Sequence, residues 1–167
     1  MRGLEFGTNS DLHGIQVGIG TVLALKVYEQ VRDIKPDRAR ALEYVNQFDH
    51  VGHNEFLREY LGSSAEGLIL LEKKEGKYDK VQHEERLDVI LNHWQDILDI
   101  IDDELPLLTD VTNLLSGLGA PVDPKAMGFS KEDVKKAFRV TKDIRDKYSV
   151  SRLLWDLGLL DEVSECF

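Results

Sequence analysis

Apolar positions recur along this chain at helical spacing from one end to the other. From 13 to 31, Val17, Thr21, Ala24, Tyr28 and Val31 form one stripe, and Ile19, Leu23 and Val27 fill a second face. A helix apolar on two faces is expected to be buried along much of its length. Pro36 suits the first turn of a second helix through Val45. His53 to Leu61 predicts a short helix stopped at Gly62; Ser64 caps the next, which carries Leu68, Leu71 and Glu72 and ends at Gly76. The clearest pattern spans 80–102, where Leu87, Ile90, Leu91, Trp94, Ile97, Leu98 and Ile101 repeat at three and four. It predicts one long helix whose seam faces other helices.

Pro106 opens a helix through Leu115, and Gly117 to Pro121 reads as a turn. Ser130 with Asp133 resembles a capping box, with Asp in place of the usual Glu. The helix after it carries Val134, Ala137, Phe138, Thr141 and Ile144, and the chain closes with a short amphipathic helix bearing Val150, Leu153, Leu154 and Leu157. The chain has no sustained alternating pattern of strand type, no repeat and no low-complexity segment. The prediction is an all-α, multi-helix bundle. Residues 1–12 read as a residual linker or truncated upstream segment, and 13–167 as one helical domain.

Length and charge narrow the partners. A chain of 167 residues suits one domain with a real core. With 21 basic and 31 acidic side chains the formal net charge is −10. That argues against a nucleic-acid footprint, which needs clustered Lys and Arg, and against an anionic membrane surface. No apolar run approaches the length of a membrane span. The first residues have no apolar signal core, and a single cysteine, Cys166, fits a reducing cytoplasm. Cys166 cannot form an internal disulfide and reads as an inert thiol near the tail.

Candidate chemistry starts with the histidines. His13 stands at the mouth of the first helix, where the positive end of the macrodipole disfavours imidazolium, and neutral imidazole is the form that binds a metal. His50 and His53 lie three apart beside Asp49, a plausible metal clip if they share a helical face. Gly52 between them argues for a helix break, which makes a solvated turn the plainer reading. His83 beside Glu84 and Glu85 reads as charged surface, and His93 beside Trp94 as a helix-face residue. Asp102, Asp103, Glu104 and Asp110 form an acidic cluster at a helix junction, read as a solvated linker. Arg145 suits a carboxylate or phosphate partner, and Tyr148 packs its ring while its hydroxyl seeks a partner. The common zinc-protease, paired-cysteine, dinucleotide-loop and nucleophile-elbow motifs are absent.

Several segments carry a resemblance. Leu12-His13-Gly14-Ile15-Gln16-Val17-Gly18-Ile19-Gly20 resembles the third metal-ligand motif of the iron-containing alcohol dehydrogenase and dehydroquinate synthase superfamily. Ser63 to Leu68 with Glu72 to Tyr78, Leu118 to Pro121, and Ile144 to Val150 continuing through Leu160 are similar to the bacterial, AraM-like sn-glycerol-1-phosphate dehydrogenases of that superfamily. The resemblance covers nearly everything after Asp11. It implies the helical, metal-binding C-terminal domain of such an enzyme, with His13 as a metal ligand. It further implies a divalent metal (zinc, nickel or iron) and NAD or NADP in the intact enzyme, a small phosphorylated polyol as substrate, and an N-terminal nucleotide-binding domain as partner; it leaves a homodimer open. The reaction implied interconverts glycerol 1-phosphate and dihydroxyacetone phosphate.

The chain departs from that pattern twice. Ile15 stands where the family usually has an acidic residue, and the two earlier metal ligands, an aspartate and a histidine, have no counterpart in residues 1–12. Two other readings stand beside this one: a non-catalytic helical binding module, and another superfamily member such as a glycerol dehydrogenase or a dehydroquinate-synthase-like protein.

Overall fold

The structure, a computed structural model, describes residues 13–144 and 147–167. Among these residues it is all-helical, a multi-helix bundle without strands. The helices are α1 (His13–Arg32), α2 (Arg38–Asn46), α3 (His50–Leu61), α4 (Ala65–Glu75), α5 (Lys80–Asn92), α6 (Trp94–Glu104), α7 (Leu108–Gly117), α8 (Lys131–Thr141), α9 (Val150–Asp156) and α10 (Leu160–Ser164). Short 3-10 turns occupy Gly62–Ser64 and Pro124–Met127.

Side-chain caps place several of the helix starts. Asp37 accepts from the Ala39 and Arg40 amides, Asp49 from Val51 and Gly52, and Asp79 from Gln82. Each satisfies amides that the first helical turn leaves without partners. Ser130 and Asp133 form the reciprocal box: the Asp133 amide donates to Ser130 Oγ at 3.2 Å and the Ser130 amide to Asp133 Oδ2 at 2.9 Å. Ser64 occupies the cap position before α4, but its side chain makes no capping hydrogen bond.

The contacts divide the chain into two compact units. Among the described residues, the first joins 13–34, 96–136 and 166–167. In it α1 packs along α7, where Gly18 lies under the Leu115 side chain. Ile19, Val22, Leu25, Val27 and Val31 are buried, whereas Val17 and Thr21 of the expected stripe are exposed. The apolar face is therefore rotated from the one the spacing suggested. Arg32 Nε donates to Asp102 at 2.7 Å, so one member of the acidic cluster is an ion-pair partner.

Among the described residues, the second unit joins 35–95, 137–144 and 147–165. Here α2 packs on α5, α3 on α4, and α9 on α2, α5 and α10. Its centre is the fully buried Trp155 of α9, ringed by Tyr44, Phe48, Tyr78 and His83, with the Arg152 guanidinium 4.6 Å above the indole. Burying an indole of this size contributes several kcal/mol (Trp→Ala truncations cost roughly 3–5). A satellite cluster of Leu57, Ala65 and Val140 gathers Phe56, Tyr60, Leu61 and Ile69.

Three expectations are corrected. The long helix over 80–102 is broken at His93, which leaves helical geometry with φ −114° between α5 and α6. The division between the two units falls further on, between Gln95 and Asp96 inside α6, and the continuous periodicity registers neither it nor the break. Gly52 does not break α3; the helix begins at His50 and runs through it. A Cβ at Gly52 would collide with the Asp49 carboxylate folded over it as the cap, so a close approach, not a bend, calls for glycine. Ile144 lies beyond the end of α8 and is exposed.

Candidate functional site

His13 is the first residue of α1, and it is exposed. A structural or catalytic metal centre needs three or four converging ligands. Among the described residues no group of three or more His, Cys, Asp or Glu side chains is placed to hold a metal ion. His13 can supply one imidazole, so the described residues do not by themselves fit a complete metal centre. Arg145 lies outside the described residues. Tyr148 donates through its hydroxyl to Asp156 Oδ2 at 2.7 Å while part of its ring stays in solvent. Asp103, Glu104 and Asp110 are exposed, in keeping with a solvated junction.

The other histidines separate sharply. His50 is exposed and lies edge-on to Phe48 and Tyr78. His83 is buried in α5, where the sequence suggested charged surface; its Nε2 lies 2.8 Å from the Asp156 carbonyl oxygen, to which it donates. A single histidine among Glu84, Glu85 and Arg86 looks like surface until the partner 73 positions later is known. Asp156 is itself fully buried, and its two carboxylate oxygens accept from Arg86 at 3.1 and 3.3 Å.

His53 anchors the most chemically dense cluster. Immediately after α8, Lys142 and Asp143 turn into the interior, where they meet His53 of α3 and Tyr78 of the loop before α5. Lys142 Nζ donates to Asp143 Oδ2 and to the Tyr78 hydroxyl, both at 2.6 Å, and stands 3.0 Å from His53 Nε2. Tyr78 donates to the other Asp143 oxygen. His53 Nε2 also lies 2.9 Å from Asp143 Oδ2. A ring nitrogen holds one proton or one lone pair, so Nε2 either donates to Asp143 or accepts from Lys142, according to tautomer.

Burial and charge set the protonation states. Burial pushes the Lys142 ammonium down to about 8, although Asp143 opposes the shift. Burial would raise the Asp143 carboxyl, but the hydrogen bond from His53 and the Lys142 charge outweigh it and hold it at about 2. Burial also lowers His53, so the imidazole is neutral at pH 7. Glu72, buried nearby, is raised by burial and by Asp143. At neutral pH the cluster is an ammonium and a carboxylate bridged by phenol and imidazole.

This arrangement can hold α3, the 76–79 loop and the end of α8 together and can relay a proton among its members. Lys142 and Asp143 are sealed from solvent, and His53 reaches outward. His53 lines a cavity of about 380 Å³ with Phe48, Phe56, Arg139 and Asp161. Removing one member of the buried pair would strand the other charge, a loss of roughly 3–5 kcal/mol.

The sequence treated His50 and His53 as one question, and the structure separates them: one exposed, one built into a network. Tyr78, Lys142 and Asp143 gave no signal as a group because 64 positions separate Tyr78 from Lys142. The one local hint was the Lys-Asp pair closing an otherwise amphipathic helix. Compared with family models, with curated proteins and with solved structures, the chain matches none.

Proposed function

We propose that this chain is the helical C-terminal domain of a metal-dependent, NAD(P)-linked sn-glycerol-1-phosphate dehydrogenase-like oxidoreductase. The observation that supports this reading is the setting of His13. It is an exposed imidazole at the first residue of a 20-residue helix, within the His-Gly segment that resembles the superfamily's metal motif. The body of that helix buries Ile19, Val22, Leu25, Val27 and Val31, which gives the exposed end a rigid mount. In this reading His13 contributes one ligand, and a nucleotide-binding half contributes the remaining ligands and the nicotinamide site. The substrate is a small phosphorylated polyol, and a metal in a reducing cytoplasm is zinc, nickel or iron.

The test compares wild type with His13→Ala in the polypeptide that carries both halves. Metal content is read by elemental analysis, and activity by dihydroxyacetone-phosphate-dependent oxidation of NADH or NADPH. The variant is expected to lose its metal and roughly 100-fold or more of its rate, because metal polarisation supplies several kcal/mol of such barriers. Helical circular dichroism is expected to persist, since His13 is exposed. Undiminished metal and rate would overturn the assignment. The chain by itself is expected to show no such oxidation; turnover by it alone would show that the cofactor site lies within these residues.

A further inference from the structure

In the unit built on α1 and α7, a cavity of about 650 Å³ opens beside Val22, Leu23 and Lys26 of α1. Its size falls within the range of small-molecule sites. Leu108 of α7, Val122 and Pro124 from the following segment, Phe129, Val134 of α8 and Phe167 give it an apolar interior. Val22 and Phe167 are themselves buried, so the floor belongs to the core and is not a film of surface residues.

Three lysines stand around this interior: Lys26 on α1, Lys125 on the 3-10 turn and Lys131 at the start of α8. All three are exposed, and among the described residues none has an ion-pair partner. The neighbouring acids have partners other than these ammonium groups, Asp123 within the cavity lining itself. Asp123 accepts from the Lys125 amide, Asp133 is held by Ser130, and Glu132 lies 4.0 Å from Lys136. A chain of net charge −10 thus gathers three ammonium groups, against one cavity-lining carboxylate side chain, Asp123, around one apolar cavity. Lysine stems lie along apolar walls while their charged ends reach for an anion.

We infer that this cavity binds an amphipathic anion, with an aliphatic body on the Val22–Phe129–Val134 floor and a carboxylate or phosphate head between Lys26, Lys125 and Lys131. Among the described residues neither half of that chemistry is fully satisfied: part of the apolar floor faces the cavity and no ion pair engages the three ammonium groups. The site lies roughly 13–20 Å along α1 from His13, at 1.5 Å per residue. It does not depend on the metal reading. It also contains its own reporter, because Cys166 lines the same cavity and is the chain's sole cysteine. Lys26 is close enough to draw the thiol's proton affinity down against the upward push of burial.

The experiment titrates the full chain with dodecanoate, held below its micelle concentration, and in parallel with dodecanol and with inorganic phosphate. Calorimetry gives affinity, and the alkylation rate of Cys166 by N-ethylmaleimide gives occupancy. Dodecanoate is expected to bind, to slow Cys166 alkylation at least about 5-fold, and to exceed dodecanol and phosphate by roughly 10-fold or more in affinity. The double variant Lys26→Gln/Lys131→Gln, which keeps polar, exposed side chains, is expected to lose about 10-fold for dodecanoate and little for dodecanol. A phosphorylated alkyl probe such as dodecyl phosphate binding at least as well as dodecanoate agrees with the inference and assigns the head group. Equal affinity for dodecanoate and dodecanol, or an unchanged double variant, would overturn it. So would a ligand-free dimer that shields Cys166 and excludes dodecanoate, which would give the cavity to a second copy of the chain.

Discussion

Gly158 shows how narrowly one residue can be determined. Its φ is 70°, in the left-handed region, and a Cβ built there would stand 2.9 Å from Tyr44 Cβ and 3.3 Å from the Ala41 Cα and the Arg40 carbonyl oxygen. Backbone conformation and packing of the α9 end against α2 therefore both exclude a side chain. Gly158→Ala is expected to cost about 1–3 kcal/mol from the conformation alone, and more from the collision. Gly20 is the internal comparison. It sits mid-helix in α1 with nothing within 4 Å of where a methyl would stand, and it is exposed. There Gly→Ala is expected to stabilise by about 0.5–1 kcal/mol, the helix-propensity difference. Urea unfolding of the two variants checks both signs. Stabilisation by Gly158→Ala would show that the turn is not held as described.

At the scale of elements, the repeat over 87–101 separates residues that the sequence ranked alike. Leu87 is fully buried, whereas Leu91, at the next helical repeat, is only half-buried. Leu87→Ala is expected to cost about 2–5 kcal/mol and Leu91→Ala under about 2, because the lost contact scales with the burial removed. Equal losses in chemical denaturation would contradict the two burial states. The same pair shows what the sequence made legible. Helix positions followed from three-and-four spacing, and stops at Gly62 and Gly76 followed from glycine's freedom at positive φ. The break at His93 was hidden, because Leu91 and Trp94 continue the spacing across it. The buried cluster was hidden for a related reason. Helical periodicity scores His53 and Lys142 as ordinary polar positions, and the gain from burying them appears only when α3 and the end of α8 meet. His13 was legible as a candidate, since a histidine opening an apolar helix is a local pattern, and the His50–His53 pair beside Asp49 was legible for the same local reason.

At the scale of the whole molecule, pH is the variable that reads the interior charges together. Asp143 is held at about 2 in the folded state against 3.8 ordinarily, so its stabilising contribution is complete above about pH 4 and is lost as pH falls through 2. His53 is lowered, so protonating it below its ordinary 6.5 also opposes folding, and both groups make the protein weaken in acid. Lys142 acts on the alkaline side. Its folded value of about 8 lies below the ordinary 10.5, so between these limits the unfolded chain binds more protons than the folded one. Stability contributed by this group therefore rises with pH from 8 to 10.5. Above about 10 the buried tyrosines Tyr44 and Tyr78, raised chiefly by burial, pull the other way, because the unfolded chain ionises them first. The total profile mixes these effects with general repulsion in a chain of net charge −10. Comparing wild type with Lys142→Met isolates the lysine. The variant is expected to be less stable at every pH, since Asp143 loses the Lys142 donor at 2.6 Å. The wild-type advantage, measured by urea midpoints from pH 7 to 10, is expected to widen as pH rises through 8, because only wild type releases the strain of a buried ammonium there. An advantage that stays flat across that range would show that Lys142 titrates like a solvated amine and that the cluster is not sealed from water.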